Sequence, residues 1–246
     1  MHPHLFHIGP ILVPTFGAVA ALGLVLAISL AARSAVKLGI SDDSMWNLCY
    51  VTAIGTLVLS RLIIITQAAK AFVHYPLYIL TLPTVTKYGL LAAIASGAAY
   101  IFFKQMPWLR TLDALAPAAL LLQSALHLGS LFAGDDLGDN TTSWLGRIIH
   151  GDEGHHPVAL YAAILTLIAC GVTYAWLQRE AQSGEAFGLG LALTALVRFF
   201  VDTFRPAYVL PDIGIPNFLR IDQIILIVLT AAGLCFFFTR KPRHAQ

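Results

Sequence analysis

The stretch Leu120–Gly138, LLLQSALHLGSLFAGDDLG, is largely apolar for its first fourteen residues, carries His127 in its middle, and then breaks into Gly-Asp-Asp-Leu-Gly. Such a run reads as the inside of a membrane helix, and an ionisable ring within it demands a cavity or a partner. The rest of the chain has the same character. Of its 246 residues 58% are hydrophobic and 11% charged, and the mean hydropathy is +0.76. Soluble domains carry about 25% charged residues, so the chain reads as an integral membrane protein. Its net charge of +2 argues neither for nor against nucleic acid, and the lack of a dense basic face argues against nucleic-acid binding. Cys49, Cys170 and Cys235 lie in apolar runs with no metal-ligand spacing and no disulfide pattern. The opening MHPHLFHIGP has no Lys or Arg, whereas a secretory signal needs a positive n-region, so the first span is expected to be retained.

A transmembrane helix needs about 20 largely apolar residues. Seven segments are candidates: residues 11–32, 46–68, 88–103, 112–133, 158–177, 186–204 and 222–239. Lipid offers backbone polar groups no partner, and the sequence shows no barrel-like alternation, so the expected fold class is all-α. No internal repeat interrupts it, and residues 1–246 read as one polytopic domain. Arg33, Lys37, Lys104, Arg110, Arg179, Arg240, Lys241 and Arg243 follow spans 1, 3 and 5 or lie in the tail. The other side holds Lys70 and Arg147 in loops, with Lys87, Arg205 and Arg220 at helix ends. Basic residues collect on the cytoplasmic side. That places the N-terminus outside and the C-terminus in the cytoplasm of a multi-pass protein. The outer face then carries a loop at about 134–157 and the 204–220 connector, and loops of that length are usually functional or disordered.

Charge inside a span costs about 2.5–3.5 kcal/mol at the bilayer centre, so it usually faces a cavity or a partner. Arg61 interrupts the second span in LVLSRLIII. Arg198, Asp202 and Arg205 follow one another at spacings of four and three, which puts them on one face of the sixth span. Gln123, His127 and Ser130 repeat that spacing on the fourth, with Asp113 toward its inner end, and Arg220, Asp222 and Gln223 open the seventh. The pattern suggests a shared polar cavity. Guanidinium forks bind phosphate bidentately and keep their charge. The arginines therefore read either as a site for an anionic lipid headgroup or as ion pairs that hold helices in register. Arg220 also suits snorkelling to the interface, and Asp222 and Gln223 suit helix–helix hydrogen bonds. His150, Asp152, Glu153, His155 and His156 offer metal-ligand atoms, but their spacing fits no specific zinc motif. A solvated acidic loop without metal is expected.

Taken in order, these segments resemble the bacterial prolipoprotein diacylglyceryl transferase family over almost the whole chain. HPHLFHIGPILVPTFG is similar to the family's H-P-x-x-F-x-I-G-P-x-x-V-x-x-Y-G opening, and GTLVLSRLIII with HYPLYIL to its G-A-R-L segment and H-P-L stretch. LRTLDALAPAALLLQSALHLGSLFAGDDLG resembles the L-D-x-x-A-P helix and the G-R-I-G-N-F-I-N-G-E signature. HPVALY is similar to H-P-S-Q-L-Y, and RFFVDTFRP to R-x-x-x-E-F-F-R-x-P.

The resemblance implies transfer of a diacylglyceryl group from phosphatidylglycerol to the lipobox cysteine thiol of a prolipoprotein, with glycerol phosphate leaving and no cofactor. Its partners would be that lipid, a prolipoprotein signal peptide and the surrounding membrane. A thiolate must be generated, and charge must be stabilised on the departing phosphate. Along the signature, His127 stands at the family's arginine, Ser130 at its asparagine and Asp135 at its glutamate. TKYGLL replaces H-G-G-L, so Tyr88 stands at a functional histidine; Phe16 replaces a tyrosine, and Ala162 the glutamate that often follows H-P-S-Q-L-Y. Arg61, Asp113, Gly129, Gly134, Gly138, His156, Pro157, Tyr161, Arg198, Arg205 and Gln223 match, and Asp202 is a shortened acid. The resemblance thus implies catalytic roles for His127 and Tyr88, with phosphate binding by Arg61, Arg205 and Arg198. Asp202, Ser130, Asp135, Gly134, Gly138, His156, Tyr161 and Gln223 support them. An imidazole with an ordinary pKa near 6.5 replaces permanent charge poorly but suits a general base. A second functional class stays open: a catalytically silent or substrate-shifted paralogue that binds an anionic lipid or a lipoprotein signal helix.

Overall fold

The computed structural model describes residues 4–8, 11–67, 89–150, 154–179, 182–205 and 221–239. Helices dominate: α1 (Thr15–Lys37), α2 (Asp42–Gln67), α3 (Gly89–Phe103), α4 (Trp108–Ala133), α5 (Trp144–His150), α6 (Val158–Leu177), α7 (Glu185–Asp202) and α8 (Ile221–Phe238). The all-α expectation meets one exception, an antiparallel ribbon of β1 (His4–Ile8) and β2 (Ile11–Pro14), paired from Ile8 opposite Ile11 to His4 opposite Pro14 with one irregularity between His4 and Phe6. The first helix therefore starts at Thr15 and not at residue 11. Pro14 precedes its first residue, a position where the missing N–H costs little.

Among the described residues four helices, α1, α2, α4 and α6, are long and apolar enough to cross a membrane. The helices α3 and α8 are shorter and apolar, and α7 carries Glu185, Arg198 and Asp202. Side chains such as Leu90, Phe103, Ile54 and Val228 are exposed on them, an arrangement suited to hydrocarbon and not to water.

Helix ends follow local rules. Ser41 precedes α2, its Oγ accepts the Ser44 N–H at 3.3 Å, and Asp42 and Asp43 occupy the first turn, where negative charge favours a helix N-terminus. Three helices close with the same pair of bonds. After α1, Ile40 N–H donates to Ala35 O (2.9 Å) and Gly39 N–H to Val36 O, with Gly39 at φ 76°. Met106 and Gln105 do this after α3, with Gln105 at φ 53°, and Asp135 and Gly134 after α4, with Gly134 at φ 84°. This is the Schellman closure, which needs a left-handed residue and so favours glycine.

Packing divides into two compact units, residues 1–34 with 112–246, and residues 35–111. In the second, α2 lies against α3. A Cβ on Gly55 would sit 2.6 Å from Ser96 Cβ, and Ser96 Oγ donates to Thr52 O at 3.4 Å. In the first, Gly23 of α1 meets Ala125 of α4, and a Cβ on Gly188 of α7 would lie 2.9 Å from the carbonyl oxygen of Gly233 on α8. Small residues let helix backbones approach where lipid supplies no hydrophobic drive. Leu120, Ala169 and Cys170 form a core with Leu30, Leu121, Leu193 and Val197 around it.

Candidate active site

Arg198, Asp202, Arg205 and Asp136 of the first unit collect where α4 and α7 end. Arg205 lies one turn beyond the buried Asp202, and its Nη1 stands 3.0 Å from Asp202 Oδ1. Its Nη2 donates to Asp136 Oδ2 at 2.6 Å, a charge-assisted bond. Arg198 Nε lies 3.7 Å from the other Asp202 oxygen, and its side chain is exposed. Asp202 thus serves two arginines, and Arg205 two carboxylates. Among the described residues Arg205 Nε has no hydrogen-bond partner, and neither has Asp202 Oδ1, whose contact with Arg205 is electrostatic and poorly aligned for a hydrogen bond.

Asp136 reaches Arg205 because of how α4 stops. The Schellman cap turns the chain at Gly134, and Asp136 itself is left-handed at φ 63°. Asp135, the expected counterpart of the family's glutamate, is exposed and donates its N–H to Ser130 O at 3.0 Å. Asp136, which sequence reasoning passed over, carries the carboxylate that faces the arginine.

Downstream, the loop is tied to the ends of α6 and α7. Gly138 N–H donates to His156 O (3.1 Å), His156 N–H to Asp139 O (2.9 Å) and Asp139 N–H to Phe204 O (2.9 Å). His155 Nδ1 donates to Gly138 O at 3.0 Å. A Cβ on Gly138 would come within 2.7 Å of Phe204 O and 2.8 Å of His156 Cβ, so no larger residue fits there. His156, Tyr161 and Phe204 stack as a three-ring cluster with centroids 5.1–6.2 Å apart. Phe204 precedes Arg205, so the cluster and the Asp139 bond together hold the arginine's backbone. His156 and Tyr161 thus pack beside the end of α7, together with Phe204 and Asp139, which the sequence reading did not single out.

His127 is half-buried on α4, and Asp136, Arg205 and Arg198 all act on it electrostatically. Ser130 lies one turn further along the same helix. Gly129 between them admits Phe16, whose Cδ2 would be 3.0 Å from a Cβ there. Asp113, near the other end of α4, does different work. It is buried and accepts N–H bonds from Gly184 (2.5 Å) and Phe187 (2.8 Å), capping the start of α7. Arg61 is half-buried on α2 in the other packing unit, one residue after the buried Ser60, and Gln223 is half-buried on α8. Tyr88 and Arg220 lie outside the described residues, as do Asp152 and Glu153 of the candidate metal cluster. Among the described residues no group of three His, Cys, Asp or Glu side chains is placed to hold a metal ion.

Apolar helices, four of them long and apolar enough to cross a membrane, with an arginine–carboxylate array at one helix end are the architecture of a multi-pass membrane protein. The chain belongs to the prolipoprotein diacylglyceryl transferase family, whose sequence pattern matches residues 3–239. It is 28% identical to a phosphatidylglycerol–prolipoprotein diacylglyceryl transferase of Tolumonas auensis, over 99% of this chain and 97% of that one. A protein of the same name from Clostridium tetani is 26% identical over 83% of this chain and 86% of its own length. One from Staphylococcus epidermidis is 22% identical over 98% and 90%.

Proposed function

We propose that the protein transfers a diacylglyceryl group from phosphatidylglycerol to the lipobox cysteine of prolipoproteins, the reaction for which its relatives are named. The observation that carries the reading is Arg205. It is held at the end of α7 by the His156–Tyr161–Phe204 cluster, beside Asp202 and paired with Asp136, which follows the end of α4, the helix that carries His127. In the reaction the cysteine sulfur attacks the glycerol carbon of the lipid. A carbon–sulfur bond forms, the bond from that carbon to the phosphate oxygen breaks, and glycerol phosphate leaves with the electron pair. His127 takes the thiol proton as general base, and Arg205, with Arg198 nearer solvent, stabilises the charge on the departing phosphate. The phosphate-binding role of Arg61 and proton donation by Tyr88 to the leaving oxygen belong to the same reading. So do support by Ser130, Asp135, Gly134, Gly138 and Gln223, and action without metal or cofactor.

The reading carries a topology. Helices α1, α2, α3, α4, α6, α7 and α8 are the seven spans, with the N-terminus outside, the C-terminus cytoplasmic and the loop at about 134–157 on the outer face of a bacterial inner membrane. The 246 residues then form one polytopic domain. Both substrates, the lipid and the signal peptide, reach such a site from within the membrane. The test is addition of diacylglyceryl mass to a lipobox peptide by the purified protein. A chain that binds phosphatidylglycerol without transferring it would instead be a lipid-binding paralogue.

A further inference from the structure

We propose that Asp136 is the exchangeable counter-ion of Arg205: it holds the guanidinium edge that a phosphodiester oxygen would take, and gives it up when an anionic lipid binds. The inference rests on the reading of Arg205 as a phosphate ligand and adds a residue that sets the affinity of that site.

The two carboxylates on Arg205 are not equivalent. Asp202 is 3% exposed, sits on α7 three residues before the arginine, and is shared with Arg198. It is a fixed part of the helix end. Asp136 comes from a loop 69 residues earlier in the chain, is 27% exposed, and makes the shorter contact, 2.6 Å. A carboxylate oxygen and a phosphodiester oxygen offer a guanidinium the same acceptor chemistry, so the two compete for one edge.

Charge leads to the same conclusion. Arg198, Asp202, Arg205 and Asp136 sum to zero, and a neutral cluster has little Coulombic attraction for an anion. With Asp136 displaced, the remaining three groups carry one positive charge, which matches the single negative charge of a phosphodiester. The loop is built for a movable side chain on a fixed backbone. The Gly134 cap anchors it on one side, and the Gly138–His156 and Asp139–Phe204 bonds anchor it on the other. Asp136 between them is held at φ 63°, a conformation that Asp, Asn and Gly tolerate.

That tolerance supplies the test. Asp136→Asn removes the charge and keeps the left-handed backbone, Asp136→Gly removes the side chain, and Asp136→Glu keeps the charge. The full-length protein in phosphatidylcholine nanodiscs is titrated with fluorescent phosphatidylglycerol in one arm and inorganic phosphate in the other. The Asn and Gly variants should bind the anion about tenfold more tightly than wild type, the scale of one desolvated charge contact. The Glu variant should stay within about threefold, and in transfer assays KM for the lipid should fall with kcat little changed in the Asn and Gly variants. In an Arg205→Gln background, adding Asp136→Asn should change binding no further. Tightening in either arm supports the exchange, and tightening with phosphatidylglycerol alone identifies the lipid headgroup as the ligand. Equal or weaker binding by both the Asn and Gly variants overturns it, as does failure of all three variants to yield monodisperse protein, because an exchangeable counter-ion is not required for folding. If wild type transfers nothing while the binding gain persists, the transferase reading falls and the counter-ion role stands. If transfer occurs without the binding gain, only the counter-ion role falls.

Discussion

In the proposed reaction His127 is the residue on which the chemistry turns. In the family to which this chain belongs, the resemblance implies an arginine at this position, whereas an imidazole is a titratable group whose proton can be given and taken near neutral pH. Next to Arg198 and Arg205 a further permanent cation would add repulsion, while a neutral ring can accept a thiol proton. His127→Ala should therefore lower turnover by roughly 10²–10⁴, the usual size of a general-base contribution. His127→Arg should abolish transfer. A variant with arginine there that transfers faster than wild type would make position 127 a phosphate ligand and end its role as base. Activity should also fall on the acid side of the histidine's own pKa, because an imidazolium cannot accept a proton. The partner of Arg205 is harder to read from sequence. Aligning the signature by position selects Asp135, but the glycine cap at Gly134 turns the chain so that Asp135 is exposed and Asp136 faces the arginine. Adjacent carboxylates in a loop carry no periodicity, so only the cap geometry tells them apart.

At the scale of elements, runs of apolar residues locate the helices well. The helix α6 has the expected bounds 158–177, and the ends of α3, α7 and α8 lie within two residues of expectation. The starts of α2 and α4 lie four residues further out than expected, because Ser41 with its acidic neighbours and Pro107 with Thr111 begin helices in polar sequence that a hydropathy window ignores. The ribbon of β1 and β2 escapes the sequence for a different reason: neither HLFHI nor ILVP alternates apolar with polar residues. Asp113 is the element-level surprise. On sequence it reads as part of a polar face, yet it bonds the first turn of α7, whose own N-cap, Gly184, has no side chain to do so. Asp113→Ala leaves two N–H groups at a buried helix start without an anion. It should cost about 2–3 kcal/mol of stability, read as a lower melting temperature in detergent, while the KM for lipid in the surviving folded protein stays close to wild type. An unchanged melting temperature would remove Asp113 from its capping role.

At the scale of the whole molecule, the proposed topology rests on the asymmetry of lysine and arginine between loops. A reporter fused after Gln246 should be active only as a cytoplasmic fusion, and periplasmic activity there would put the α4–α6 loop on the wrong side for lipoprotein maturation. The relatives cover 83–99% of this chain at 20–28% identity, and the resemblance implies replaced signature residues, so activity is the decisive question. The most direct measurement uses the purified chain, phosphatidylglycerol and a peptide bearing a lipobox cysteine, with mass spectrometry of the peptide and a relative carrying the intact G-R-I-G-N signature as control. The account predicts a peptide heavier by one diacylglyceryl group, lost when the cysteine is replaced by serine. A peptide left unmodified by this chain, under conditions where the control modifies it, would contradict the account.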